Sequence, residues 1–250
     1  MSPLVLVLIS IAAGAFLTGL SKGGLGGGLG ALVTPILALA MPASLAIGIA
    51  LPILIIGDMF AVAAHWGGWD RRIIWRLMPG TLIGVAAGSL VIGSLSPVII
   101  QRVLGGAALL YTLYKLWSRW QASSAETQPV TDGMLHSSVF GAMTGFASAL
   151  ANAGGPIVTI YMLAKQVVPS VFVATLALYF AIVNLSKVPA YLGAHILSPE
   201  MAVLFVWAVP LIPLGVWSGK LLDKHIDMRT FETLMLVLLA VTGVLLLVKS

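Results

Sequence analysis

The chain has 250 residues, of which 60% are hydrophobic and only 8% charged, with a formal net charge of +5 and a mean hydropathy of +1.08. Soluble domains carry roughly 25% charged residues, so this composition reads as a polytopic membrane protein, and a net charge that arises from few acids and falls in short loops suits membrane orientation rather than nucleic-acid binding. Cysteine is absent, which excludes disulfides, thiolate catalysis and cysteine-ligated metals, and the four histidines (His65, His136, His195, His225) are too scattered for a metal site, so no cofactor is implied.

Taken in chain order, residues 1–20 lack a basic leading region and run on into glycine-rich hydrophobic sequence, as expected of a retained membrane segment rather than a cleaved signal peptide. Apolar segments follow at 3–20, 29–41, 44–64, 74–93 and 98–117, then a polar run at 118–133, then further apolar segments at 135–150, 153–164, 170–192, 201–219 and 228–248. The polar run reads as a linker. The expected organisation is a first repeat over 1–118, a cytoplasmic linker over 119–133 and a second repeat over 134–250, all within one integral membrane domain. Trp66, Trp69, Trp75, Trp117 and Trp120 read as anchors at the membrane interfaces, and His65 and His195 as markers of segment ends.

Between the first two segments lies Gly19-Leu20-Ser21-Lys22-Gly23-Gly24-Leu25-Gly26-Gly27-Gly28-Leu29-Gly30. Each glycine inside a helix costs roughly 1 kcal/mol relative to alanine, so the helix is expected to break from Lys22 to Gly28. Backbone freed at membrane depth is tolerated only where protein buries it or a polar cavity receives it. The corresponding break in the second half is Asn152-Ala153-Gly154-Gly155-Pro156.

The two halves align. A shift of 126 pairs Gly19 with Gly145, Lys22 with Ser148, Gly28 with Gly154, Pro35 with Tyr161 and Asp58 with Asn184, and a shift of 131 pairs Pro79 with Pro210, Gly84 with Gly215 and Gly88 with Gly219. The spaced pairs Gly84/Gly88 and Gly215/Gly219 read as close helix packing. The basic residues then choose a topology. If each broken pair is a single span, Arg71, Arg72, Arg76, Lys115, Arg119 and Lys249 oppose Arg102, Lys165, Lys220, Lys224 and Arg229, which is six against five. If each pair is a hairpin returning to its own side, nine of these basic residues share the linker side and only Arg102 and Lys249 lie opposite. Hairpin parity places the linker inside, both termini outside and the second half inverted. The expected fold is all-α and polytopic, with two inverted repeats, each a broken or re-entrant helical hairpin followed by three transmembrane helices.

Inverted repeats with discontinuous helices are a transporter design in which helix N-termini face an anion near the midplane. The polar side chains expected there are Lys22, Asp58, Asn152, Asn184 and Lys187, with Ser148 at the position equivalent to Lys22 and backbone from Gly23, Gly24, Gly27, Gly28, Gly154 and Gly155. An ionisable group at bilayer depth costs at least ~2.5 kcal/mol, so it is normally paired or functional. The plain alternatives are snorkelling for Lys22 and Lys187, a structural ion pair with a lysine for Asp58, and ordinary interhelical hydrogen bonds for the asparagines. Asp58 is the proton-coupling candidate, since release of a tightly held anion needs a conformational change or a neutralising proton.

The stretch Gly-Leu-Ser-Lys-Gly-Gly-Leu-Gly-Gly-Gly-Leu-Gly-Ala-Leu-Val-Thr-Pro-Ile-Leu at 19–37, its echo Gly-Gly-Pro-Ile-Val-Thr-Ile-Tyr-Met-Leu at 154–163, and Gly68-Trp-Asp70 with Pro79-Gly80 resemble the sulfite exporter TauE/SafE family of bacterial membrane permeases. The resemblance covers nearly the whole chain. It implies movement of small sulfur-containing anions such as sulfite, sulfoacetate or related sulfonates across the bacterial cytoplasmic membrane, with the lipid bilayer and a small anion as partners and protons as candidate coupling ion. The sequence departs from the family at Asn152-Ala153, where glycines are usual, and Lys22 suggests a branch whose anion can differ. Two other classes stand beside the transporter: an intramembrane enzyme such as a lipid-phosphate hydrolase, disfavoured because Ser21 and Ser148 lack an evident base, and a passive anion channel. Oligomeric state is not legible.

Overall fold

The computed structural model describes residues 2–23, 30–121, 133–222 and 228–248. Among them the regular structure is helical throughout: α1 (Pro3–Lys22), α2 (Gly30–Ala40), α3 (Ala43–Ala64), α4 (Arg71–Ser94), α5 (Pro97–Gln121), α6 (Met134–Ala151), α7 (Gly155–Ala164), α8 (Pro169–Gly193), α9 (Ala202–Phe205), α10 (Leu211–Leu222) and α11 (Met228–Val248), with 3-10 turns at Pro199–Met201 and Val206–Ala208. By length and composition α1, α3, α4, most of α5 and α8 can each cross a membrane. The chain is an all-α polytopic membrane protein. Most of the 119–133 linker lies outside the described residues, as do Gly24, Gly27 and Gly28.

Helix α1 runs through Gly19, which is packed against α10, and ends at Lys22, at the start of the expected break. At 20 residues α1 is long enough to span, whereas α2 with 11 residues and α7 with 10 reach only about 15–17 Å at 1.5 Å per residue, half the ~30 Å hydrocarbon core. One difference from the sequence reading has a local cause. The segment 201–219, expected as one helix, is broken into short turns and α10 with a bend of 48°. Pro210 and Pro213 stand three residues apart there, and each removes a backbone donor from the helical ladder. The equivalent helix α4 carries Pro79 alone and runs unbroken.

Both short helices fold back along the preceding one. A Cβ on Gly14 of α1 would touch Val33 and Leu37 of α2 at 3.3 and 3.8 Å. In the second half the hydroxyls of Ser137 and Tyr161 meet at 2.8 Å, and Gly154 sits against Thr144, so α7 retraces α6. Asn152 makes the turn: it adopts the left-handed conformation (φ 53°) at the end of α6, a region that asparagine tolerates better than most residues. The N–H of Ala153 reaches the carbonyl of Ala147 across it, a closure typical of helix C-termini.

Lipid supplies little hydrophobic drive between helices, so association rests on close backbone approach and dispersion contacts. The tightest approaches occur in two matched places. A Cβ on Gly84 would lie 2.1 Å from the carbonyl oxygen of Ala142, and one on Gly145 would lie 2.2 Å from that of Thr81, which fixes α4 on α6. A Cβ on Gly215 would lie 2.3 Å from the oxygen of Phe16, and one on Gly19 would lie 2.0 Å from that of Ile212, which fixes α10 on α1. Under the sequence shifts of 126 and 131 these four contacts map onto one another with the halves exchanged. The two pairs run parallel. By contrast α3 and α8, themselves equivalent, run antiparallel: Gly48 lies against Ile196, Asp58 against Asn184 and Gly68 against Ala174. Helices α5 and α11 are antiparallel too, with Gln101 donating to the carbonyl of Leu246 and Gly105 against Gly243.

Helix α3 is the centre of the largest apolar core, in which Ile47, Ile49, Ala50 and Leu51 are fully buried and Tyr191 of α8 joins them. Its end is tied to α8 through the next turn. The Asp70 side chain caps α4 by accepting from the N–H groups of Arg72 and Ile73, and the N–H of Asp70 donates to Thr175 Oγ1 at 2.9 Å.

The matched glycine contacts generate a stability test. Gly145→Val and Gly19→Val each place carbon inside a carbonyl's van der Waals envelope and should destabilise by at least the ~1–3 kcal/mol of core overpacking. Gly106→Val, where a Cβ would meet nothing within 4 Å, should leave the unfolding midpoint of the detergent-solubilised protein almost unchanged.

Candidate functional site

The antiparallel α3–α8 pair carries the site at its crossing. Asp58 is buried on α3 and Asn184 on α8, and Asn184 Nδ2 donates to Asp58 Oδ2 at 2.6 Å. These are equivalent positions of the two halves, 126 residues apart, so the crossing brings one position into contact with its own counterpart. Lys22, at the end of α1, closes on the other carboxylate oxygen: its Nζ lies 2.6 Å from Asp58 Oδ1. That contact is ionic, outside hydrogen-bonding angles, since Oδ1 takes no hydrogen bond. The Lys22 ammonium also lies 5.9 Å from the centre of the Phe180 ring on α8, within cation–π range.

A second cluster follows along α8. Lys187, three residues after Asn184 and therefore on the same helical face, is fully buried. Its Nζ donates to Asn152 Oδ1 at 2.5 Å, to Ser148 Oγ at 3.2 Å and to the Ser148 carbonyl at 3.4 Å. All three acceptors are neutral and belong to the end of α6, and Lys187 makes no ion pair among the described residues. It lies within electrostatic reach of Asp58. Asn152 uses its amide the other way as well, with Nδ2 donating to Thr34 Oγ1 of α2 at 2.9 Å. The turn of the second hairpin is thereby fastened both to α8 and to the first hairpin. One helical turn beyond Lys187, the Tyr191 hydroxyl donates to the carbonyl of Ala149 at 2.6 Å, anchoring the same turn.

The glycines divide by role. Gly23 faces α10, where a Cβ would lie 2.3 Å from the Val216 oxygen, so its smallness serves packing. Gly154 is pressed between Thr144 and Ser148, while Gly155 opens the first turn of α7 with nothing within 4 Å of a Cβ. Pro156 follows it, in the first turn of α7, where its missing N–H costs nothing. The N-terminal end of α7, with its partial positive charge, therefore emerges beside Ser148, which Lys187 contacts.

Two groups of sequence-derived candidates are thus assembled: Lys22, Asp58 and Asn184 in one chain of contacts, and Lys187, Ser148 and Asn152 in another. They are joined through the shared face of α8. Thr34 and Phe180 were absent from the candidates. Thr34 had a signal, since Val-Thr precedes Pro35 in the first glycine-rich motif and recurs as Val158-Thr159 in the second. Phe180 had none, because an aromatic residue in an apolar helix is indistinguishable from core.

A family model described as Sulfite exporter TauE/SafE matches residues 11–246. No curated protein and no solved structure matches the chain.

The Asp58–Asn184 contact can be tested by itself. Asn184→Leu keeps the branched heavy-atom skeleton but leaves Asp58 Oδ2 without its donor, at an expected cost of about 1–3 kcal/mol. This should appear as a lower unfolding midpoint in detergent, whereas Leu185→Ala, on the exposed face of the same helix, should shift it far less.

Proposed function

The chain belongs to the sulfite exporter TauE/SafE family, and from that membership we propose that it is a secondary transporter moving small sulfur-containing oxyanions, sulfite, sulfoacetate or related organosulfonates, across the cytoplasmic membrane of a bacterium. The observation that carries this reading is Lys187. An ammonium buried without a carboxylate in direct contact is expensive to keep, and here it lies beside Ser148, as does the N-terminal end of α7, so two positive features stand close together. An oxyanion there satisfies both. Ser148, Asn152, Gly154 and Gly155 line the second-hairpin side. Lys22, Gly23, Gly24, Gly27, Gly28 and Asn184 are assigned to the first-hairpin side. Asp58 is the proton-coupling candidate, because a proton on its carboxylate dissolves the ion pair with Lys22.

Alternating access between inverted repeats is the proposed mechanism. The exchanged glycine contacts support a repeat, and the antiparallel course of α3 against α8 supports inversion, since a parallel duplication of spanning helices would set them side by side in one direction. It also supports the hairpin parity, in which 1–118 and 134–250 are the two repeats and 119–133 is cytoplasmic. Each hairpin would then approach the midplane from the opposite face, and the tie from Asn152 to Thr34 would link their movements.

One contact favours a second reading. Ser148 Oγ lies 3.2 Å from Lys187 Nζ, and serine with lysine is a known nucleophile–base pairing. Flux through sealed vesicles separates the readings. The transport reading expects saturable, protein-dependent movement of sulfite with no change in the anion; cleavage of a phosphate or sulfate ester by the purified protein indicates the enzyme, and conductance that does not saturate indicates a channel.

Two outcomes follow. Lys187→Gln removes one charge-assisted contact of roughly 1.5–3 kcal/mol and should weaken apparent anion affinity about 10- to 150-fold at 1.4 kcal/mol per decade; unchanged affinity would move the site away from α8. For topology, single cysteines replacing Trp66 and Ser198, in a chain with no native cysteine, should be modified from opposite faces, Trp66→Cys from the cytoplasm and Ser198→Cys from outside. Modification of both from one face would contradict inversion.

A further inference from the structure

The ionisable groups deep in the candidate site are few enough to count. Among the described residues they are Lys22, Asp58 and Lys187, and the sequence between α1 and α2 adds no charge because only glycine and leucine occur at 24–29. Lys22 and Asp58 neutralise one another at 2.6 Å. The remaining oxygen of Asp58 is taken by the neutral amide of Asn184, and the hydrogen bonds of Lys187 go to Ser148 and Asn152, with Asp58 in electrostatic reach but shared with Lys22. Lys187 counts as an ammonium because its Nζ donates to three acceptors, Asn152 Oδ1, Ser148 Oγ and the Ser148 carbonyl; two ammoniums against one carboxylate then leave a single net positive charge, enclosed where Asp58 and Lys187 have 1% and 0% of their surface exposed.

The repeat sharpens this imbalance. The positions equivalent to Lys22, Asp58 and Lys187 in the other half hold Ser148, Asn184 and Ala61. Every charge in the cluster therefore stands against a neutral counterpart, and among the described residues no second carboxylate balances the second lysine. Charges in a water-poor interior interact far more strongly than in solution, and an uncompensated one is costly. A ligand with one negative charge brings the enclosure to neutrality. A ligand with two overshoots it and meets the Asp58 carboxylate as a like charge.

We propose, building on the transport reading above, that Lys22, Asp58 and Lys187 together form a charge filter that accepts a monovalent oxyanion and rejects a divalent one, with Asp58 as the residue that sets the preference. This narrows the anions of the transport reading to hydrogensulfite and sulfonates with a single acid group, and removes from that list the sulfite dianion and sulfoacetate, which carries two acid groups. Asp58 need not touch the anion; it acts by fixing the charge of the enclosure and by occupying Lys22.

The test compares two probes whose charges are fixed at neutral pH, methanesulfonate with one and sulfate with two, titrated calorimetrically into the purified full chain in detergent. The wild-type protein should prefer methanesulfonate by at least about tenfold, the scale of one charge-assisted contact. Asp58→Asn raises the net charge of the enclosure to two, and should move the methanesulfonate-to-sulfate affinity ratio toward sulfate by about tenfold or more. The double variant Lys22→Met with Asp58→Asn returns the count to one and should recover the monovalent preference; it also removes the unpaired lysine that could keep the single variant from folding. The filter is overturned if the wild type binds sulfate as well as methanesulfonate, if Asp58→Asn binds anions with the wild-type ratio, or if the double variant follows sulfate. The transport reading survives each of those results. Failure of either anion to bind any of the proteins would instead overturn the anion site itself, and the filter with it.

Discussion

A charge carried into the hydrocarbon has to be compensated where it lies, and the packing around α3 and α8 is arranged about that requirement. Asp58 cannot reach water with so short a side chain, and it is met on one oxygen by Lys22 and on the other by Asn184. Each partner arrives on a different helix. The contact therefore holds only if α1 ends at the right depth and α8 crosses α3 at the right height. The crossing is placed by Gly48 and Gly68 against α8 and the segment after it. The depth of α1 is placed by Gly19 and Gly23 against α10. Glycines that look like helix breakers in the sequence thus act partly as spacers that deliver Lys22 to Asp58.

On the proposed repeat reading, the two halves share a scaffold and differ in charge. Their glycine contacts exchange one for one, yet the first half carries its lysine on the hairpin and its acid on the following helix, while the second has serine and asparagine at those positions and a lysine further along α8. A symmetric scaffold can be built twice from one set of packing rules. A binding site for a single ion has no reason to be symmetric, and polar contacts across the middle, such as Asn152 to Thr34, tie the unlike halves together.

Much of the fold was legible because membrane sequences speak through composition. Long apolar runs, the glycine-rich break after Lys22 and the Asn-Ala-Gly-Gly-Pro break were visible as departures from that background, and the helices end where those breaks occur. The family was legible from paired motifs. The broken course of 201–219 was not, because the effect of Pro210 depends on its distance from Pro213, and Pro79 in the matching helix leaves α4 intact. Within the site, residue types at depth singled out Lys22, Asp58, Asn184 and Lys187 one at a time. Their partners were another matter: that Lys22 finds Asp58 while Lys187 finds Ser148 and Asn152 depends on how α8 crosses α3, which no spacing along the chain encodes.

The proposed oxyanion site lies beside Lys187 at the turn between α6 and α7. Selenite, the heavier analogue of sulfite, can be located by its anomalous scattering in crystals of the protein. A peak is expected within hydrogen-bonding distance of Lys187 Nζ and of polar groups on the α6–α7 turn, and should be lost in Lys187→Gln. A peak confined to the exposed arginines at the start of α4, or one at the turn that persists in Lys187→Gln, would contradict that placement.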